Sequence, residues 1–488
     1  MMNSLRWRIS SLSLLVLLAL PLVWYSGTTW ESDTDDLIPT LISIENWRFL
    51  FWGHSRFGTL VPLLAKPFSE MDSNLLFQNF IHAFSLIIFV FAVSKVLYSK
   101  RQKPIGNLAT FLILVFLFCI LNTTFLKHLI SGLPYAAPLG IFGISLLLIN
   151  SNLNKWLILS ANVLLISISC WVNPLNGYYL FPILLAMIAF KKFKNVFHEL
   201  ALTYLLFNFG VFFIILGLAN GEVSGTVAPS LRAFQTFNWW LPLILLQVVL
   251  IALTLVRKEF KKRAPIFLGF AYTWISIFAL TSLRHISNNL NAPRYFITAA
   301  FVSMVLTMMV LEEELSRFQS IRNLIGSASG LLKKKAFIAL SLILLLIANV
   351  SISRDLLSDY PLREPHKTLM NKLFNGAPEP YRFASGDFWY SWPTKLFVSQ
   401  PEEMFVTSFQ SEFQYDINSD SEAAIKSRLE DGDLGLCFGE LISCKSEIRR
   451  AVYRMHQGAG VRADTADEVL ITRTPIEVHS LRLKITSE

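Results

Sequence analysis

The sequence predicts an α-helical polytopic membrane protein of about eleven transmembrane helices with a small α/β C-terminal domain on the extracytoplasmic side. Three observations carry this. Apolar residues fall in blocks of roughly fifteen to twenty, about the length of helix that crosses the hydrocarbon of a bilayer. Basic residues gather at alternate block ends. The composition changes sharply after residue 353, where charges, Gly and Pro replace the apolar blocks.

Across 488 residues, 53% are hydrophobic and 16% charged, with a mean hydropathy of +0.49. A soluble domain carries about 25% charged residues. The net charge of +9 does not indicate a nucleic-acid partner, because the basic residues sit at span ends rather than on one face of a soluble module. The spacing predicts spans near 10–26, 76–97, 107–121, 134–150, 156–172, 178–190, 199–218, 239–256, 264–282, 293–311 and 336–353. The first follows Arg6 and Arg8 and lacks a small-x-small cleavage site, so it reads as an uncleaved anchor. With the N-terminus cytoplasmic, inner segments hold twenty Lys and Arg, and the outer loops before the tail hold seven. That bias is the positive-inside rule, and adding or removing one span inverts every later loop. The expected localisation is a cell (inner) membrane, multi-pass, with the tail outside.

Two domains follow: residues 1–353 as the transmembrane domain, with a long first outer loop at 27–75, and residues 354–488 as a soluble extracytoplasmic domain. In the tail, Ser421 to Glu430 and Glu447–His456 read as helices, and Asp420 is placed to cap the first. Leu434–Phe438, Glu468–Thr474 and Val478–Ile485 read as strands. Cys437 and Cys444 lie close together in an oxidising compartment, where either a disulfide or two free thiols fits. The tail has no nucleophile elbow, metal-spaced His and Cys, or glycine-rich phosphate loop. Its densest feature, Asp387 to Pro393 with Phe388, Trp389, Tyr390 and Trp392, suits either a packed core or a sugar-stacking surface.

The first outer loop opens with Asp33, Asp35 and Asp36 just past the first span. Crowded carboxylates oppose one another's ionisation, which is how a catalytic base is tuned. The alternative is a solvated loop in which Asp36 caps a helix starting at Leu37, with Pro39 in its first turn. Leu37 to Trp52 has helical apolar spacing and reads as an amphipathic helix on the membrane surface. It ends in Trp52-Gly53-His54-Ser55-Arg56-Phe57-Gly58. On the same face, Arg284 and His285 close the ninth span and Arg294 opens the tenth. An arginine at that depth either pairs with a lipid phosphate or snorkels as an interface anchor.

At the first outer loop the sequence resembles the GT-C superfamily of polytopic glycosyltransferases, in an uncharacterised bacterial-type form. That superfamily places an acidic pair after its first span, then a juxtamembrane helix, and often a soluble C-terminal domain. Asp35-Asp36 stands where the pair belongs, with Asp33 beside it, although Asp-Glu is the commoner pair. The stretches Asp36 to Leu41, Trp52 to Gly58, and Phe388-Trp389-Tyr390 with Trp392-Pro393 look like the corresponding segments. No Trp-Trp-Asp motif is present, which argues against protein N-glycosylation.

The resemblance implies an extracytoplasmic glycosyltransferase, hexosyl or pentosyl, that uses a polyprenyl-phosphate-linked sugar donor and an acceptor glycan, lipid or protein. It implies catalysis by Asp35, with Asp33 or Asp36 orienting the acceptor or a divalent metal ion. It further implies donor-phosphate binding by Arg294, Arg56, His54 and His285. The rival readings are a glycan ligase or polymerase of envelope polysaccharide assembly, a flippase or transporter, and a non-catalytic assembly protein. A ligase usually centres a large outer loop between late spans, and here the large loop comes first.

Overall fold

The structure, a computed structural model, describes residues 34–45, 47–50, 58–98, 134–149, 151, 153–173, 240–281, 363–377, 379–387, 391–397, 404–408, 429–455, 461–473 and 476–487, with scattered positions between 296 and 314. The spans expected near 10–26, 107–121, 178–190, 199–218 and 336–353 lie outside the described residues, as does the helix expected at Ser421 to Glu430 except for Leu429 and Glu430, which are not helical. The chain divides into two compact units: Met1–Tyr25 with Asn79–Leu356, and Ser26–Gln78 with Leu357–Glu488.

The first unit is helical. Its described elements are most of α3 (Met71–Tyr98), α4 (Ala136–Ile149), α5 (Lys155–Val172), α6 (Trp240–Val256), α7 (Phe260–Leu280) and helical residues between 299 and 314. Met71–Ala92 is long and apolar enough to cross a membrane, and Ala136–Ile149, Trp156–Val172 and Leu243–Val256 are shorter apolar helices. Their outward faces remain apolar, with Leu157, Leu164, Leu245, Val249 and Leu268 exposed. Side chains of that kind suit a lipid solvent and not water.

Small residues and polar pairs lock these helices together, as expected where lipid removes the hydrophobic drive between them. A Cβ on Gly140 would lie 2.5 Å from that of Ser85, and one on Gly143 would lie 2.9 Å from the Cα of Phe89. The two contacts advance together, so α3 and α4 run parallel. Between α4 and α5 the pairs run the other way: Ser169 Oγ donates to the Pro138 carbonyl at 3.2 Å, and Asn173 Nδ2 to that of Pro134 at 3.3 Å. Across α6 and α7, Trp274 Nε1 donates to Gln247 Oε1 at 2.7 Å and Arg263 Nη1 to Thr254 Oγ1 at 3.0 Å, an antiparallel pair. Gln247 Nε2 also donates to Ser303 Oγ at 2.7 Å and Thr307 Oγ1 at 2.8 Å. Glu314 closes this bundle by pairing with Arg257 and the fully buried Arg263. Each sense is the one a chain crossing back and forth produces, with segments one crossing apart antiparallel and segments two apart parallel.

The second unit joins the first outer loop to the tail. Helices α1 (Thr34–Ile44) and α2 (Leu60–Ala65) and the start of α3 come from the loop. The tail adds α8 (Arg363–Asn375), a 3-10 turn at Trp392–Phe397, α9 (Leu441–Met455) and five strands. These are β1 (Phe383–Gly386), β2 (Phe405–Ser408), β3 (Leu434–Phe438), β4 (Val461–Thr472) and β5 (Val478–Ser487), in the order β2-β1-β3-β5-β4. The β1 pairings with β2 and β3 are parallel, whereas β5 is antiparallel to both β3 and β4. Parallel strands are buried on both faces, which fits β1 and β3, buried at every residue. Gly386 ends β1 at φ +126, and a Cβ there would lie 2.0 Å from the Phe438 carbonyl oxygen, so no side chain fits. Cys437 and Cys444 form a disulfide between β3 and α9.

Candidate functional site

The two described members of the acidic cluster fall in α1. Asp35 and Asp36 are its second and third residues, so Asp36 does not cap a helix starting at Leu37. The helix begins three residues earlier and ends at Ile44, well short of Trp52. Pro39 lies inside it. Proline has no N–H, so the Asp35 carbonyl, its partner four residues back, receives no helical hydrogen bond from that position. Leu37 through Ser43 are buried without a break, which is not the one-sided pattern of a surface helix.

The burial of α1 is tertiary. Ile38, Leu41 and Ile42 enter one core with Met370 of α8, Trp392 of the 3-10 turn, and Val406 and Leu436 of the sheet. Trp392 is therefore part of the packed core and not of an exposed sugar platform; Phe388, Trp389 and Tyr390 lie outside the described residues. Beyond the helix end, Glu45 Oε1 accepts from Lys395 Nζ at 2.6 Å, with both side chains at most 1% exposed. The same ammonium stands 5.9 Å from the centroid of the Trp392 ring, close enough for a cation–π contact. Thr40 Oγ1, Ser391 Oγ and Trp392 Nε1 are buried without a hydrogen-bond partner.

On the loop side, Asn74 of α3 does most of the tying. Its Nδ2 donates to Ser43 Oγ at 2.8 Å, to the Ala65 carbonyl at 3.0 Å and to the Phe68 carbonyl at 2.7 Å. Ser43 Oγ in turn donates to the Pro62 carbonyl at 2.8 Å. Trp47 Nε1 donates to the Thr59 carbonyl at 3.1 Å, Thr59 Oγ1 donates to the Arg48 carbonyl, and Leu50 and Gly58 form an antiparallel bridge. The residues flanking 51–57 are thus paired, while His54 and Arg56 themselves lie outside the described residues, as do Asp33, His285 and Arg294. Among the candidates read from sequence, the structure places Asp35 and Asp36 at the start of a helix held on every side, and places Cys437 and Cys444 in the sheet domain.

Four contributors went unremarked in the sequence. Glu45 and Lys395 are 350 residues apart, beyond any local pattern. Glu45 is nonetheless the sole carboxylate between Leu37 and Trp52, and an isolated charge in an apolar stripe is a signal. Asn74 and His82 belong to an i, i+4, i+8 polar row with Gln78, at helical spacing on the first described span.

No family model matches the chain, and no curated protein matches it either. Two solved structures of ArnT from Cupriavidus metallidurans do. One is bound to undecaprenyl phosphate and superposes with a TM-score of 0.50 at 10% identity, covering 97% of this chain and 98% of that one. The other is the apo state, with a TM-score of 0.51, again 10% identity, and 98% of each chain covered. The chain has the fold of ArnT. A fold of this kind is that of a polytopic helical membrane protein, and the match runs through both the helical unit and the sheet-bearing unit. The likeness at 10% identity is one of architecture, so the chemistry rests on the residues of this chain.

Proposed function

We propose that the chain is a membrane glycosyltransferase that moves a sugar from a polyprenyl-phosphate donor to an acceptor at the extracytoplasmic face. The observation that carries this reading is the full-length likeness to ArnT, one of whose structures holds undecaprenyl phosphate. The site residues supply the chemistry. Asp35, at the start of α1, takes the proton of the acceptor hydroxyl as that oxygen attacks the anomeric carbon. Asp33 and Asp36 orient the acceptor, and the same three carboxylates would carry a divalent cation if the reaction uses one. The bond from the anomeric carbon to the phosphate oxygen breaks, and the lipid phosphate leaves with the electron pair. Arg294 and Arg56, assisted by His54 and His285, stabilise the charge that develops there. Eleven spans with a cytoplasmic N-terminus put all these residues on one face, in the inner membrane of the cell.

A general base needs both its carboxylate and its fixed position, and the burial of Leu37–Ser43 supplies the second for Asp35. The test is Asp35→Asn in purified protein supplied with undecaprenyl-phosphate sugars. Transfer falls by about 10²–10⁴-fold, the usual contribution of a positioned base, and the melting temperature is unchanged. Full retained transfer removes Asp35 from the role. Substrate flux across vesicles without covalent transfer would favour a flippase instead.

A further inference from the structure

The outer end of α3 carries buried polar groups that the proposed chemistry does not use. Asn79 is 1% exposed and His82 0%, one helical turn apart on the same face. The amide oxygen and nitrogen of Asn79, and both ring nitrogens of His82, have no hydrogen-bond partner. The polar row to which His82 belongs starts at Asn74, whose Nδ2 serves the loop, and passes through Gln78, whose Nε2 donates to Asn74 Oδ1 at 2.7 Å while its Oε1 is buried without a partner. Asn74 is structural and Gln78 half so, whereas His82, with Asn79 beside the row, is desolvated and wholly unpartnered.

Leaving a buried polar group unpaired costs about 1–3 kcal/mol, and ionisable or polar residues within a span are retained where they serve a ligand or a pathway. The position is constrained as well. His82 lies one turn before Ser85, which abuts Gly140, so it is level with the buried first turn of α4 at Ala136 and Ala137. Between Ser73 and Ser94 of α3, and throughout α4, the sequence has no charged residue. A phosphate or carboxylate would find no counter-charge on this stretch of α3 or on α4. Amide and imidazole groups each donate and accept, which matches a hydroxyl.

We propose that Asn79 and His82 bind hydroxyl groups of the transferred sugar, an uncharged pentose or hexose, with the lipid phosphate held elsewhere. This rests on the glycosyltransferase reading. The experiment uses the full chain in nanodiscs and two probes, undecaprenyl phosphate and undecaprenyl phosphate carrying glucose or arabinose. Asn79→Leu and His82→Leu each weaken binding of the sugar-bearing lipid by about tenfold, the worth of one good hydrogen bond, and leave binding of the bare lipid unchanged. Both variants also melt at a higher temperature, because an apolar side chain replaces an unpaired polar one. His82→Gln, which keeps a donor and an acceptor, retains more affinity than His82→Leu. Unaltered binding of both lipids, an equal loss of both, or a lowered melting temperature overturns the subsite and leaves the enzyme reading standing. A wild-type protein that prefers neither sugar-bearing lipid over the bare one overturns both together.

Discussion

A buried ion pair such as Glu45 with Lys395 is a poor source of net stability, since desolvating both charges offsets most of their attraction. Breaking it is another matter. Lys395→Met removes the buried counter-charge of the Glu45 carboxylate and is expected to destabilise the protein by about 3–5 kcal/mol, read as a lower midpoint in denaturant. Glu45→Leu with Lys395→Met together should recover most of that loss. If the single and double variants unfold alike, the pair is not coupled. The pair joins the end of α1 to the turn carrying Trp392, so its natural role is alignment: it sets where α1, and with it Asp35, is held. Residues that bring distant segments together leave no local mark of their partner, which is why the pairing was invisible in the sequence, although Glu45 stood alone in an apolar stripe and Asp33, Asp35 and Asp36 stood out by crowding.

At the level of elements, legibility followed the kind of force that forms them. Apolar blocks announced α3 through α7, because a bilayer demands length and hydropathy and both are read directly from composition. Strands β3 and β5 were equally plain, the one as an apolar run and the other by alternation. Strands β1 and β2 were not: four residues each, with neither period long enough to register. The ends of α1 were misjudged because Asp36 looked like a cap and Pro39 like a first-turn residue, whereas the surrounding core supports a helix from Thr34. The α3–α4 contact makes a prediction at this scale. Gly140→Ala drives a methyl into Ser85 and is expected to cost about 1–3 kcal/mol, seen as a lower melting temperature in detergent. Ser85→Gly in the same chain should relieve it. An unchanged melting temperature in Gly140→Ala would mean the helices are not this close.

For the whole molecule, the division into units follows chemistry and not chain order. Ser26–Gln78 belongs with Leu357–Glu488, although sequence composition drew the boundary once, after the last apolar block. Hydropathy separates lipid-facing from water-facing segments but carries no record of which water-facing segments meet. The reading that places both on the outside has a direct test: a phosphatase fused to the C-terminus should be active in a bacterial host, and a fluorescent protein fused there should stay dark. The reverse result inverts the topology and removes the acidic cluster from the face where donor and acceptor are proposed to meet. The Cys437–Cys444 disulfide closes a short loop, and Cys437→Ser with Cys444→Ser is expected to cost about 2–3 kcal/mol in the oxidised protein and nothing after reduction.

The strand order has a consequence in time. β5 contains the last described residues of the chain, yet it sits inside the sheet, with β3 on one side and β4 on the other. Until those residues emerge from the ribosome, β4 has no neighbour and β3 an open edge. The loop that carries Asp35 precedes the helical unit in the chain and must wait through all of it for its packing partners. The proposed catalytic helix is thus seated only after β5 has been made, and a chain that stops short of Val478 leaves both ends of its second unit unassembled.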